Sequence, residues 1–315
     1  MTTAEAEGGA AAQAVRAERA ARRPPRLVRG TWWRHAVAIV TVLWALFPVA
    51  YVVSAAFNPV QGIGGASLIP DDVTLDNFRE LLFGPPKSEE TVTAKANYLR
   101  WYGNSLLVAG SAAVFQVLLG ALAAYAFSRF RFRGRRMGLV ALLLIQMFPQ
   151  FLALVAIYLI LLHTGDVFPA LGLNTLTGLT VVYLAGALSV NVWLLKGFFD
   201  SIPAELDESA RVDGATPAQV FWGIVMPLAA PALAVVGLIS FIFTLNELVL
   251  ASALLQSEDK FTLPLGLRGY IDEEYAQNWG PFAAGVLLAG IPVLVLFLFL
   301  QRFFIQGLTS GSVKG

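Results

Sequence analysis

Residues able to do chemistry are few in this 315-residue chain, and they are unevenly placed. The only histidines are His35 and His163 and there is no cysteine, so a histidine metal cluster, a thiolate site and a disulfide are all excluded and no metal is expected. None of the five lysines follows a glycine, which removes the Gly-Lys step of a phosphate-binding P-loop, and no HExxH helix is present. No catalytic residue is expected. What remains is one dense stretch, Asp200 to Pro227 (DSIPAELDESARVDGATPAQVFWGIVMP), and one isolated polar pair, Asn246 and Glu247, inside an apolar run.

The dense stretch has its own punctuation. Pro203 suits a first helical turn, and Glu205, Asp207 and Glu208 follow where the positive end of the helix dipole favours carboxylates. The pattern predicts a short helix from about Pro203 to Val212, ended by Gly214 in a left-handed conformation. Thr216 then caps a second helix that starts with Pro217. Leu206, Ala210 and Asp213 share one face of the first helix, while Glu205, Glu208 and Val212 share another. Asp207 with Arg211, and Glu208 with Arg211, are spaced to pair within the helix. These patterns allow a solvated connector with local ion pairs or a rigid lever between longer elements.

The elements that must position this stretch are membrane helices. The chain is 57% hydrophobic and only 14% charged, against roughly 25% charged in average globular domains, which argues against a cytosolic enzyme. A net charge of +1 gives no support to nucleic-acid binding. Apolar runs near the ~20 residues that cross a bilayer lie at Ala36 to Phe57, Ser105 to Phe127, Met137 to Leu162, Leu176 to Phe199, Ala232 to Leu255 and Phe282 to Phe304. Unpaired backbone is not tolerated in lipid, so each is expected to be helical.

Sixteen basic residues fall on the side of the two termini and six on the other, which places both termini in the cytoplasm of a multi-pass protein of the cell membrane. The first run, if cut after Ser54 to Ala56, would be a signal peptide, but it is longer than a signal core and follows a long leader, so a retained helix is expected. Residues 1–35 are read as a disordered cytosolic tail, 36–57 as the first span, 58–103 as an external loop, 104–306 as a five-helix core and 307–315 as a cytosolic tail.

Within the spans, an ionisable Glu247 is costly unless it faces protein or water. Asn246 and Glu247 either line a translocation path or its gate, or hold neighbouring helices together. Gln116, Gln146, Gln150, Asn191 and Ser240 carry the same two readings. Pro149, Pro227, Pro231 and Pro292 mark positions where helices can bend. The external Gln256–Pro281 segment carries Phe261, Tyr270, Tyr275 and Trp279, suited to a membrane interface or to a partner surface.

Glu208, Ser209, Ala210, then Asp213, Gly214, Ala215, then Ile224, Pro227 and Leu228 resemble the EAA loop of ABC importer permeases, with Ser209 standing where the family usually has alanine. The runs Gln146–Pro149 (QMFP), Gly172–Thr175 (GLNT), Asp213–Pro217 (DGATP) and Gly307–Gly315 (GLTSGSVKG) are similar to the maltose/maltodextrin type of that family, from about the first span onward. The resemblance implies an all-α type I importer permease (MetI-like) of six transmembrane helices with a cytoplasmic coupling loop over 200–227. It implies a second permease subunit, two copies of a cytosolic ATPase that carry ATP and Mg, and an external sugar-binding protein. It also implies roles: Glu208, Ser209, Ala210, Asp213, Gly214, Ala215 and Pro227 dock the ATPase, and Thr262, Leu263, Pro264, Leu265, Gly266, Leu267, Arg268 and Gly269 meet the binding protein.

An intramembrane hydrolase and an ion-coupled transporter using Glu247 are the competing classes. Apart from Glu247, the span centres offer amides, hydroxyls and aromatics and no basic cluster, which suits a neutral sugar over an anion. The narrowing to maltose or a maltodextrin comes from the resemblance.

Overall fold

The structure is a computed structural model that describes residues 32–59, 70, 72–84, 97–272 and 278–311. Most of the leader, much of the 58–103 loop, Tyr275 and the last four residues lie outside the described residues, as do the side chains of Gln150 and of the final helix beyond residue 303. The described residues are helical with turns, in two compact units, 1–51 and 52–315. The described part of the first unit is the helix α1 (Trp32–Phe57) up to Tyr51, an apolar stretch with Pro48 inside it.

The second unit is organised around α3 (Tyr98–Arg129), which follows a short α2 (Asp76–Phe83). One side of α3 is small: Ala109, Ala112, Ala113, Gly120, Ala121 and Ala124. Small residues let backbones approach closely where lipid supplies no hydrophobic drive between helices. A Cβ on Gly120 would stand 3.0 Å from Asn191 Cβ on the neighbouring helix α6 (Leu176–Ser201). Against this surface pack α6 and α10 (Ala230–Leu245), and α13 (Trp279–Gly311) packs on α10.

Two expected spans are broken. Met137 to Leu162 is α4 (Arg135–Met147) and α5 (Leu154–Val167), separated by Phe148, Pro149 and a single 3-10 turn. Proline lacks a donor and pushes the residue before it to extended backbone, and Phe148 is extended at φ −74, ψ 124. The run Ala232 to Leu255 likewise stops at Leu245 and resumes as α11 (Val249–Leu254), with Asn246 and Glu247 at the break. Among the described residues, three helices are long and apolar enough to cross a membrane, α1, α3 and Trp279–Phe303 of α13, or up to five spans if the bent pairs Leu176–Ala185 with Val190–Ser201 and Pro217–Leu228 with Ala230–Leu245 each count as one. Among the described residues, the 58–103 segment contains α2 and the first turns of α3, and the 307–315 segment begins as helix.

The Gly172–Thr175 run has a structural task. Asn174 sits at φ +55, and its Oδ1 accepts from the backbone N–H of Gln256 and of Ser257, both at 3.0 Å. Its Nδ2 donates to Ser257 Oγ, and its own N–H donates to Leu254 O. One side chain therefore joins the start of α6 to the end of α11. Thr175 caps α6 through Gly178 N–H, and Gly172 approaches Gly165 so closely that a Cβ would stand 2.7 Å from Gly165 Cα.

Candidate functional site

Four helices, α4 through Gln146 among them, and the break after α10 bring polar residues to one cavity of about 370 Å3, lined by Gln116, Gln146, Tyr183, Asn191, Ser240, Thr244 and Glu247 with Val190, Ile239 and Phe243. Gln116 comes from α3, Tyr183 and Asn191 from α6, and Ser240 and Thr244 from α10. Gln116 is 1% exposed; its Nε2 donates to Tyr183 O at 3.0 Å, and its Oε1 has no donor. Asn191 Nδ2 donates to Ser240 Oγ at 3.0 Å. A buried amide oxygen without a donor is costly, so the wall is one hydrogen bond short.

Glu247 is fully engaged inside its own chain. The Tyr183 hydroxyl donates to Oε2 at 2.5 Å, and the amides of Leu250 and Ala251 donate to the carboxylate at 2.8 and 3.1 Å. A carboxylate receiving the free N–H groups of a helix start is electrostatically favourable, which explains both the break after Leu245 and how an acid is tolerated at this depth. Asn246 turns elsewhere. Its Nδ2 donates to Ile242 O, and it lines a larger, mostly apolar cavity of about 710 Å3 with α10, α13 and α12 (Leu263–Arg268). The two residues that the sequence pairs thus serve different surroundings.

The 200–227 stretch forms α7 (Ala204–Val212), α8 (Pro217–Val220), a π turn at Phe221–Val225 and the short α9 (Met226–Leu228), followed by a 78° bend into α10. Pro203 is the N-cap residue of α7, Glu205 and Asp207 lie in its first turn, and Gly214 takes φ +86. Ala215 N–H returns to Ala210 O at 2.9 Å across that turn. Thr216 and Gln219 make a reciprocal capping box. Glu208, Ser209, Asp213, Gly214 and Pro227 are exposed, whereas Ala210 and Ala215 are half-buried against the core beneath. Val212 is 88% exposed, and Leu206, Trp222 and Leu228 are exposed beside it.

The helix-internal ion pairs expected of α7 do not form. Asp207 is buried and faces Arg129 at the end of α3, Nε to Oδ2 2.8 Å, with the two side chains 9% and 4% exposed. Arg129 also donates to Ile202 O at 2.9 Å, and Arg211 reaches the Tyr125 hydroxyl. Phe221 packs on Tyr125 at 5.0 Å between ring centroids. Distance in sequence hides the Arg129–Asp207 pair, but the Thr-x-x-Gln spacing of the capping box was readable. Tyr183 and Thr244 carry no local signal of their role.

In the Gln256–Pro281 segment, Thr262, Leu263, Gly266 and Leu267 are buried within the chain, leaving Pro264 and Leu265 half-buried and Arg268 and Gly269 exposed. Trp101 Nε1 donates to Glu258 O, Asn104 to Asp259 O and Phe261 O, and Leu263 N–H to Ser105 Oγ. Most of this run is therefore a lid core over the start of α3.

A family described as "Binding-protein-dependent transport system inner membrane component" matches residues 116–310. The maltose/maltodextrin transport system permease protein MalG of Vibrio parahaemolyticus serotype O3:K6 (strain RIMD 2210633) is 40% identical over 288 residues, 90% of this chain and 96% of that one. The galactooligosaccharides transport system permease protein GanQ of Bacillus subtilis (strain 168) is 37% identical over 86% of this chain and 90% of its own. In fold, the chain is similar to one in the crystal structure of a bacterial ABC transporter involved in the import of the acidic polysaccharide alginate, with a TM-score of 0.68 at 24% identity over 89% of this chain and all of that one. With the family match spanning the polar cavity, the 200–227 stretch and the final helix, this chain belongs to the binding-protein-dependent transport system inner membrane components, the membrane-embedded permease subunits of ABC importers.

Proposed function

We propose that this chain is one of two permease subunits of an importer for maltose or short maltodextrins. It crosses the membrane six times with both termini in the cytoplasm, α4 and α5 together making the third crossing. A second permease subunit, two cytosolic ATPase copies holding ATP and Mg, and an external sugar-binding protein complete the complex. The observation that carries this reading is the near full-length 40% identity to a maltodextrin permease. A cavity lined by amides, hydroxyls, Phe243 and an already satisfied carboxylate adds to it, because such a wall offers an anion no basic group.

The geometry supports one coupling step. Glu208, Ser209, Asp213 and Gly214, with exposed Val212 and Leu206 beside them, form the docking face for an ATPase copy. Closure of the ATPase pair would displace α7, which is fixed to α3 through Asp207 and Arg129, and would displace α10 through the π turn and its bend. Since α3 and α10 both line the polar cavity, one displacement reshapes it from two sides. Arg268, Gly269, Pro264 and Leu265 are the part of the external run left for the binding protein.

The test is labelled-sugar uptake by the complete reconstituted complex, with maltose and maltotriose competed against galactobiose, trehalose and glycerol phosphate. Preference for maltodextrins is expected. Preference for galactobiose would favour the second reading, a galactooligosaccharide importer, which the 37% identity to GanQ supports.

A further inference from the structure

Five arginines crowd the turn between α3 and α4, and the structure separates them by task. Arg129 is used by Asp207 and Ile202 O, and Arg135 donates to Ser128 O. Among the described residues, the guanidinium groups of Arg131, Arg133 and Arg136 are exposed and have no partner. Two rings flank them. Phe130 leaves α3 in extended backbone, φ −97 and ψ 143, and Arg133 and Gly134 turn the chain into α4. Phe130 lies 5.6 Å from Tyr125, edge to face, and Phe132 lies 5.5 Å from Phe127. Phe127 in turn presses on Gly138, where a Cβ would stand 3.2 Å from its ring. With Phe130 and Phe132 packed against rings of α3, Arg131 and Arg133 are left exposed. Gly134, at φ +88, starts α4 beside them, and Arg136 stands in its first turn.

We propose that Arg131, Arg133 and Arg136 form a binding site for the phosphate of anionic phospholipids in the membrane leaflet at this end of α3. Reach points to a lipid. Only residues 130–134 link the two helices, and a link that must leave and return rises about 8 Å at most from the helix ends. That keeps the three guanidinium groups close to the helix ends, where the headgroups around a spanning helix lie within their reach. Guanidinium binds phosphate oxygens in a fork that a lysine cannot offer, and clustered basic residues at a span end attract anionic lipid. The first-turn amides of α4 add partial positive charge at the same place. The exposed side chain of Met137 and the half-exposed edge of Phe132 supply apolar contact for the start of the acyl chains.

The test uses the complete complex, reconstituted in phosphatidylcholine mixed with phosphatidylglycerol, then extracted and weighed by native mass spectrometry. Replacing Arg131, Arg133 and Arg136 together by Gln should lower retained phosphatidylglycerol several-fold. Replacing Arg19, Arg22 and Arg26 of the leader by Gln, an equal loss of charge, should leave it as in the parent. Photoreactive phosphatidylglycerol on the unaltered complex should mark residues 129–147, which keeps the proposal open to refutation if the triple variant inserts poorly. Equal retention in both variants, or cross-links confined to other segments, would overturn it. So would loss of the ATPase subunits from the Arg131/Arg133/Arg136 variant with lipid retention unchanged, which would make the patch a contact for an acidic protein surface.

Discussion

Arg129 and Asp207 meet at 2.8 Å beneath α7, with both side chains almost withdrawn from solvent. Removing one member of a buried pair strands the other charge and costs about 3–5 kcal/mol, whereas replacing both by apolar residues of similar size is often neutral. Arg129→Met and Asp207→Leu should therefore each lower the thermal midpoint of the purified complex by more than the double variant does. Additive losses would show that the two charges do not act as a pair.

Gly214 carries the left-handed turn of the 200–227 stretch proposed to dock the ATPase, and a Cβ there meets nothing within 4 Å. Gly214→Ala should act through backbone strain alone, about 1–2 kcal/mol, and Gly214→Asn should be milder. The expected signature is ATP hydrolysis retained with less sugar moved per ATP. If Ala, Asn and Gly behave alike in this ratio, the turn conformation does not matter for coupling.

Glu247 receives three donors, so Glu247→Gln forces an amide N–H2 against one of them. A loss of about 1–3 kcal/mol is expected for the mismatch, read as a lower unfolding temperature. Uptake driven by ATP should continue in proteoliposomes whose proton gradient has been collapsed. Dependence on that gradient would instead make Glu247 an ion-coupling site.

Gly266 faces the indole of Trp101 so closely that a Cβ would lie 2.2 Å from it. Gly266→Ala should cost about 1–3 kcal/mol through overpacking and break the Trp101 Nε1 bond to Glu258 O. In a Trp101→Leu background the same change should cost much less, a difference readable by chemical denaturation.

Burial, with the nearby Glu80 carboxylate second, pushes the Tyr270 hydroxyl from its ordinary 10.0 to about 12. A raised value means that the unfolded chain gives up this proton first. The contribution to stability is thus whole below pH 10.0 and is lost as pH rises towards about 12. Alkaline unfolding of the parent should be steeper across that window than that of Tyr270→Phe, and matching slopes would contradict the assignment.

Much of this architecture was legible because its signals are local. Pro203, Gly214 and Thr216 each act on backbone within a few residues, and the α7 turn has the expected limits to within one residue. The broken spans were harder. Hydropathy averaged over Met137 to Leu162 and Ala232 to Leu255 stays apolar, because Pro149 in the first and the Asn246–Glu247 pair in the second are outweighed by their neighbours although they interrupt the backbone. Side-chain partnerships were least legible. Asp207 had an obvious helical neighbour in Arg211, and only the packing of α7 on α3 offers it the more distant Arg129. Nothing local in the Thr262–Gly269 run signals that Trp101 and Ser105, far earlier in the chain, pack beneath it.

The alanine and glycine face of α3 has a mechanical consequence. Side chains that interlock resist sliding, because each must leave its rotamer before its neighbour can pass; methyl groups offer little such friction. Along most of this face α6 and α10 lie on a smooth track. The register is held by a few polar catches: Gln116 on Tyr183 O between α3 and α6, Asn191 on Ser240 between α6 and α10, and Ser128 on Asp200 at the helix ends. Two of those three catches are in the cavity wall. If the proposed cargo enters this cavity, a guest hydroxyl that exchanges places with either one would loosen the shear of one helix past another, so that cargo and helix slippage would be read by the same atoms.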